Sequence, residues 1–533
     1  MIVLTSEQMS CLDRETIARG TPGIELMRNA GMAVHERLIE EFDSLSKQHV
    51  VVAAGKGNNG GDGFRAAENL ALYGVRCSVF LVGKRGDVRG DALVCLRDAE
   101  KAGAEVYEIS DDDGFSRCSA IFLSADIYVD ALFGTGLKGE ISGLAASLIG
   151  IMNASDAPIV AVDIPSGVDA TTGEVSEYAV RADYTVTFGC LKAGLVLQPG
   201  RRMCGKMKVA GIGFSQEALK SLDPLGHALT PEEAANLLPE RQWDAHKNSA
   251  GRVLVVAGSA GMTGAAALAA GAALRAGAGI VRVGCPASLA DILEAKLTET
   301  LTVPLPEVRR KRCLSLRAMG ALRETASVSD VVAVGPGLGT YFETAELVRR
   351  FVSGYTGKVV LDADGINAFK GAGEALAEAP CELVLTPHAG ELSRLMETTA
   401  AEIAANPIEA AGLAARKLRK IVLLKGPNTV IADPSGRVWL NPTGCEALAT
   451  AGSGDVLTGL VAGFASQGLD LLDAAVLGAY VHGLCGEIAE ECMGNRGVIA
   501  GDLVDFIPEV CRRIEAGATR SPTERIRMRK RRR

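Results

Sequence analysis

The stretch Ala451-Gly452-Ser453-Gly454-Asp455-Val456-Leu457 reads as a glycine turn opening a helix, because Leu457-Thr458-Gly459-Leu460-Val461-Ala462-Gly463-Phe464 follows without a polar break. Glycines let backbone N–H groups approach an anion closely, and a helix N-terminus adds about half a positive charge. An aspartate in that field is poorly placed beside a bound phosphate if its role is structural. It is well placed to take a proton from a hydroxyl while the amides hold the phosphoryl group passing to it. The competing reading is that Asp455 caps the helix, as an isolated aspartate at a helix start most often does.

The chain on the N-terminal side of this turn weighs against a mere cap. The segments 251–257, 280–284, 331–334, 359–361, 383–385 and 421–424 are short aliphatic runs that read as strands. Most of them end in glycine or polar residues: Gly258-Ser259, Gly335-Pro336-Gly337-Leu338-Gly339, Asp362-Ala363-Asp364, Thr386-Pro387-His388-Ala389-Gly390-Glu391 and Lys425-Gly426-Pro427-Asn428-Thr429. Alone, the 386–391 segment is a capped turn. In series, these endings converge along one edge of a parallel sheet, where open α/β folds bind their ligands.

The first half of the chain is built alike. A strand at 49–54 runs into Gly55-Lys56-Gly57-Asn58-Asn59-Gly60-Gly61-Asp62-Gly63, then a helix over 64–73. The loop has neither the spacing of GxGxxG nor the GK[ST] of a Walker A loop. Its asparagines and aspartate supply groups for a ligand or a hard cation, and the alternative is a flexible turn. A second strand carries Asp130 ahead of Phe133-Gly134-Thr135-Gly136-Leu137-Lys138-Gly139, and a third carries Asp163 ahead of Pro165-Ser166-Gly167. These three loops meet outside the carboxyl ends of a doubly wound sheet.

A length of 533 residues implies more than one domain. The expected boundaries are a first domain over 1–221, a linker over 222–240 rich in proline, a second domain over 241–515 and a basic tail over 516–533. A content of 48% hydrophobic but only 4% aromatic residues indicates an aliphatic core. The net charge of −8 argues against nucleic acid as a partner of the whole chain. The 13 cysteines, without a CxxC pair, indicate reduced thiols. No signal peptide and no uninterrupted apolar stretch of membrane-spanning length is read, so a soluble, cytoplasmic protein without a membrane partner is expected. The very small residues of 264–277 suggest tight subunit packing and hence a homo-oligomer.

The segments Asn58 to Gly63, Asp130 with Gly134-Thr135-Gly136, and Asp163 to Asp169 resemble the NAD(P)H-hydrate epimerase family. That resemblance implies a Rossmann-like fold and interconversion of the R and S epimers of NADH or NADPH hydrated at C6, with a bound K+. It implies that Asn59, Asp130 and Ser166 ligate K+. It also implies that Asn58, Asn59, Gly60, Gly61, Asp62, Gly134, Thr135, Gly136, Leu137, Lys138, Gly139, Glu140 and Asp163 contact the hydrate. Asp163 is then the candidate for acid–base work.

The second half resembles the ribokinase-like superfamily and, within it, the NAD(P)H-hydrate dehydratase family, through His246-Lys247, Gly335 to Gly339, Asp362 to Asn367, Thr386 to Glu391 and Gly452 to Asp455. The resemblance implies that Ala265, Gly337, His388 and Asp455 contact the hydrate. It implies that Lys425, Gly426, Pro427, Asn428, Thr429, Gly452, Ser453 and Gly454 hold ADP or ATP, with Mg2+ neutralising the nucleotide. Ser453 and Ala451 stand where the family often has threonine and glycine. The joint reading is a two-domain α/β repair enzyme that epimerises NADHX and NADPHX and dehydrates the S epimer. The alternative is a ribokinase-like vitamin kinase whose N-terminal nucleotide-binding module does no catalysis.

Overall fold

The structure, a computed structural model, describes residues 1–137, 139–241 and 243–517. The chain divides into two compact units at His227/Ala228. The division falls inside the 222–240 segment read as a linker, which is itself structured. Gly226–His227 is a strand antiparallel to Ile2–Leu4, and Pro231–Leu237 is a helix capped by Thr230.

In the first unit seven parallel strands lie in the order Glu105–Ile109, Arg76–Val82, His49–Ala54, Ile127–Ala131, Ile159–Val162, Tyr184–Phe188, Lys206–Ala210. The chain starts in the middle, winds to one edge and returns to wind to the other. The order therefore reverses between His49–Ala54 and Ile127–Ala131, which opens a crevice at their carboxyl ends. Strand alternation serves two cores. Val50, Val52 and Ala54 face the helices Gly23–Glu41, Asn58–Leu72 and Gly90–Ala102, while Val51 and Ala53 face Gly143–Ala154 on the other side.

The glycine stretch after His49–Ala54 is not the loop expected from sequence. The helix begins at Asn58, six residues before the expected start at 64, so Asn58 to Gly63 form its first turns. A Cβ at Gly60 would lie 1.9 Å from the Gly55 carbonyl oxygen, and one at Gly63 would lie 2.4 Å from the Ala131 Cβ. The glycines let a helix end press against strand ends, which a sequence pattern alone renders as flexibility.

The second unit repeats the plan. Its strands run Leu301–Leu305, Ile280–Pro286, Arg252–Val256, Val331–Val334, Lys358–Leu361, Glu382–Leu385, Ile421–Leu424, all parallel, followed by the antiparallel Val430–Ala432 and Val438–Leu440. The reversal lies between Arg252–Val256 and Val331–Val334. Val253 and Val255 pack under the helices Thr263–Arg275, Ser453–Ser466, Leu471–Met493 and Ala500–Glu515.

Two sequence expectations change here. The small residues of 264–277 are used inside the unit: Ala266, Ala269, Ala270, Ala272 and Ala273 are buried, and a Cβ at Gly459 would sit 2.2 Å from the Ala269 carbonyl oxygen. They therefore carry no argument for a subunit interface. Leu471–Met493 is a 23-residue helix apolar enough to cross a membrane by length and composition, although no such stretch was expected. Of its most apolar window 78% is buried, as in the central helix of a globular unit. All 13 cysteines are free. The basic run 525–533 lies outside the described residues.

Candidate active sites

In the first unit the switch-point crevice gathers Asp130 from the end of one strand and Ser166 from the loop after the next. Asp130 is fully buried; its carboxylate accepts from the Ser166 N–H at 2.7 Å and the Ser166 hydroxyl at 2.6 Å. The Phe133 N–H donates to the Ser166 Oγ at 2.9 Å, and the Phe133 carbonyl oxygen lies 3.2 Å from it. Burial pushes the Asp130 carboxyl up to about 6 against the pull of the Ser166 hydrogen bonds. Opposite stands Asn59, whose Oδ1 and Nδ2 are buried without a hydrogen-bond partner. A Cβ at Gly134 would come within 3.1 Å of the Asn59 side chain, so the 134–136 loop closes over it. A buried carboxylate, a hydroxyl and an unpartnered amide oxygen form an oxygen-rich pocket short of positive charge.

Beside it lies a feature not singled out in the sequence. Lys192, fully buried, donates to the Asp163 Oδ1 at 2.5 Å, the Thr187 hydroxyl at 2.9 Å and the Phe188 carbonyl at 3.0 Å. Asp163 also accepts from the Phe188 N–H at 3.2 Å and sits at φ 64°, a left-handed backbone rare outside glycine. Two more carboxylates feel this pair. Burial, with Asp163 adding, raises the Asp62 carboxyl well above its ordinary range, and the same two causes raise that of solvent-accessible Asp13 to about 6. Asp13 comes from helix Ser6–Ala18, which is fastened to the crevice by the Ser6 hydroxyl donating to the Thr135 carbonyl at 2.6 Å.

In the second unit Gly452, at φ 91°, is the residue that starts helix Ser453–Ser466. Asp455 is therefore inside the first turn, and it makes no hydrogen bond or ion pair among the described residues, so it does not cap. Burial pushes its carboxyl up to about 7, Asp362 adds to the push and Lys425 opposes it. Lys425 donates to Asp362 at 2.6 Å, and a Cβ at Gly454 would lie 3.2 Å from its Nζ, so the ammonium bridges strand end and helix N-terminus. Asp362 is almost fully buried and also accepts from the hydroxyls of Thr386 and Thr458 at 2.8 Å each. His388 caps helix Ala389–Met396: its Nδ1 accepts from the Gly390 and Glu391 amides at 3.0 and 3.3 Å. The ring proton is then on Nε2, 3.5 Å from Glu391. The His388 backbone bridges to Lys425, and a Cβ at Gly337 would lie 3.1 Å from that of Ala265. His482, from the central helix, donates through Nε2 to the Ser453 carbonyl at 3.0 Å and holds the turn from below; burial lowers its imidazole to about 4.

Comparison with known proteins agrees with this division. The pattern of the NAD(P)H-hydrate dehydratase family matches residues 253–509, and that of the YjeF-related protein N-terminus matches residues 23–194. The bifunctional NAD(P)H-hydrate repair enzyme Nnr of Moorella thermoacetica is 42% identical over 517 residues, covering 97% of each chain. The chain belongs to the bifunctional NAD(P)H-hydrate repair enzymes. A member from Thermofilum pendens is 37% identical over 96% of each chain. A solved ADP/ATP-dependent NAD(P)H-hydrate dehydratase from Bacillus subtilis, co-crystallised with ATP/Mg2+, is 30% identical and covers 54% of this chain and 99% of its own, with a TM-score of 0.46.

Among the residues expected in a member of this family, the structure brings Asn59, Gly134, Asp130 and Ser166 to one pocket and Asp163 to the neighbouring lysine. It leaves Gly136, Gly139 and Glu140 exposed to solvent, and Lys138 lies outside the described residues. It also brings Lys425, Gly454, Asp455, His388, Ala265 and Gly337 along one sheet edge. Sequence reasoning missed Lys192, Asp13 and His482. Only Lys192 had a signal: one cation inside the apolar run Cys190-Leu191-Lys192-Ala193-Gly194-Leu195. The vitamin-kinase alternative is not favoured, because relatives that share both halves over the whole length are repair enzymes.

Proposed function

We propose that the chain repairs hydrated NADH and NADPH, epimerising the R and S forms in the first unit and dehydrating the S form in the second at the expense of ADP or ATP. The observation that carries the reading is Asp455, an unpartnered carboxylate pushed up to about 7 at a helix N-terminus beside Lys425.

In the second unit Asp455 takes the proton of the C6 hydroxyl. The oxygen attacks the terminal phosphorus of the nucleotide, and the bridging P–O bond breaks to release the shortened nucleotide. The amides of 452–454 and the Lys425 ammonium offset the charge that develops. Phosphate then leaves C6 while a proton leaves C5, which restores the ring double bond. Mg2+ would travel with the nucleotide phosphates, as it usually does, using few protein ligands.

In the first unit the C6 oxygen must leave one face and a water must return to the other, so a proton is given up and taken back. Asp163, held by Lys192, exchanges that proton, beside Asp62, whose carboxyl burial pushes above its ordinary range. The unpartnered Asn59 oxygen with Asp130, Ser166 and the Phe133 carbonyl fits a K+ ion. Bound there, K+ would supply a fixed positive charge at the floor of the crevice and hold the 134–136 loop to the strand ends. A reducing cytoplasm suits the free thiols.

The test follows the near-ultraviolet absorbance of the dihydronicotinamide with mixed R and S NADHX, K+, Mg2+ and either nucleotide. Wild type recovers all the NADH, Asp163→Asn only the S share, and Asp455→Asn none. No recovery by wild type with either nucleotide would sink the repair reading.

A further inference from the structure

The strands Glu307–Val308 and Cys313–Leu314 form a hairpin whose turn is Arg309-Arg310-Lys311-Arg312. Against it lies an open cavity of about 460 Å³ lined by Arg309, Arg310, Lys311, Arg317, Ser315 and Tyr341 among others. Small-molecule sites typically measure roughly 300–1,000 Å³.

Three observations mark it as a site for an anion. Ser315 is 1% exposed, and its Oγ, on the cavity wall, has no hydrogen-bond partner. An unpartnered buried hydroxyl is destabilising, and a ligand oxygen would supply its missing partner. Arg309, Arg310 and Lys311 make no ion pair among the described residues, and the two acids on the lining are engaged elsewhere. Glu307 accepts from the Ser288 N–H at 3.1 Å and hydroxyl at 2.7 Å, and Glu343 accepts from the Leu316 N–H at 3.5 Å. Finally, the cavity is built onto the hydrate end of the crevice. The Arg312 carbonyl accepts from the Ala260 N–H at 3.1 Å, and the same turn bonds the glycine loop through Gly258 N–H to Pro336 O and Ser259 Oγ to Gly337 O, both at 2.9 Å. Tyr341 follows that loop after Thr340.

Lys425 follows Ile421–Leu424, whereas Tyr341 and Glu343 on the cavity lining follow Val331–Val334, three strands away in the sheet order. At nearly 5 Å per strand that is ~14 Å, so the cavity lies to one side of the Lys425 end of the crevice, toward Gly337 and Ala265.

We propose that this cavity takes a phosphate monoester carried by the hydrated dinucleotide, the 2′-phosphate by which NADPHX differs from NADHX, and so sets which hydrate the second unit prefers. This rests on the dehydratase reading of that unit. Guanidinium groups match the oxygens of a phosphate dianion in pairs, and Ser315 donates to a third oxygen. A ribose bearing a free hydroxyl there offers no charge to the four cations.

The test compares kcat/KM for S-NADHX and S-NADPHX in full-length wild type, in the triple variant Arg309→Ala, Arg310→Ala, Lys311→Ala, and in Ser315→Ala. NADPHX turnover is expected to fall ~10- to 100-fold in the triple variant and ~3- to 10-fold in Ser315→Ala, mostly in KM, with NADHX held within about twofold. The retained NADHX turnover shows that the variants fold. 2′-AMP is expected to compete with NADPHX in wild type and not in the triple variant. Equal losses for both hydrates, or none for either, overturn the proposal. So does inhibition by inorganic phosphate that is the same for both hydrates and disappears in the triple variant, since the cavity is then a separate anion site. Failure of wild type to turn over either hydrate counts against the dehydratase reading instead.

Discussion

Asp455 and Lys192 show how differently two functional residues can announce themselves. Asp455 follows a glycine turn and was legible because the turn recurs in chain order with other polar strand ends. Its raised pKa was not legible, since that comes first from burial and then from the Asp362 charge, both supplied by remote segments. The ionised form is the base, so kcat/KM for dehydration is expected to fall below a midpoint at about pH 7 in a pH–rate profile. Stability runs the other way. The folded pKa lies above the unfolded value of 3.8, so the folded state holds the proton more tightly, and the stability this adds at low pH is lost as pH rises through about 7. Asp455→Asn is therefore expected to raise Tm by a few degrees at about pH 8 and by less than half as much near pH 5, read by thermal unfolding. Lys192→Met leaves Asp163 buried without its cation. It is expected to slow epimerisation ~100-fold or more while dehydration of pure S hydrate stays at the wild-type rate, as separated by chromatography of the two epimers.

At the scale of elements, glycine carries two messages that sequence cannot separate. Gly459 lets helix Ser453–Ser466 touch helix Thr263–Arg275, and a Cβ there would meet the Ala269 carbonyl at 2.2 Å. Gly271, on the second of these helices, has only the Val504 Cγ1 at 3.6 Å, an ordinary contact. Gly459→Ala is expected to cost roughly 1–3 kcal/mol or more by forcing the helices apart, and Gly271→Ala to stabilise by about 0.5–1 kcal/mol through helix propensity. Chemical denaturation of the two variants checks both signs. The same ambiguity explains why Asn58 to Gly63 reads as a loop: helical glycines needed for close approach have the composition of a turn. Only the position of Gly55 and Ala131 against them decides for a helix.

At the scale of the molecule, each unit has its own set of parallel strands, its own core and its own crevice. The two activities are therefore expected to be separable: a mixture of Asp163→Asn and Asp455→Asn protein recovers all the NADH that wild type does, because free R hydrate is epimerised on one protein and dehydrated on the other. Recovery stopping at the S share in the mixture would show that hydrate does not pass through solution. What the sequence by itself determined was local and serial: alternating strands and helices, glycine and acid endings at strand ends, and hence two parallel α/β units with their ligand edges. Distances between segments remote in the chain were decided only by tertiary structure. Lys192 reaches Asp163 across 29 positions, His482 reaches Ser453 across another 29, and Asp362 meets Thr458 across 96. The physical reason is that strand order, not chain order, sets which side chains share a dry pocket, and the dry pocket sets the charge on each of them.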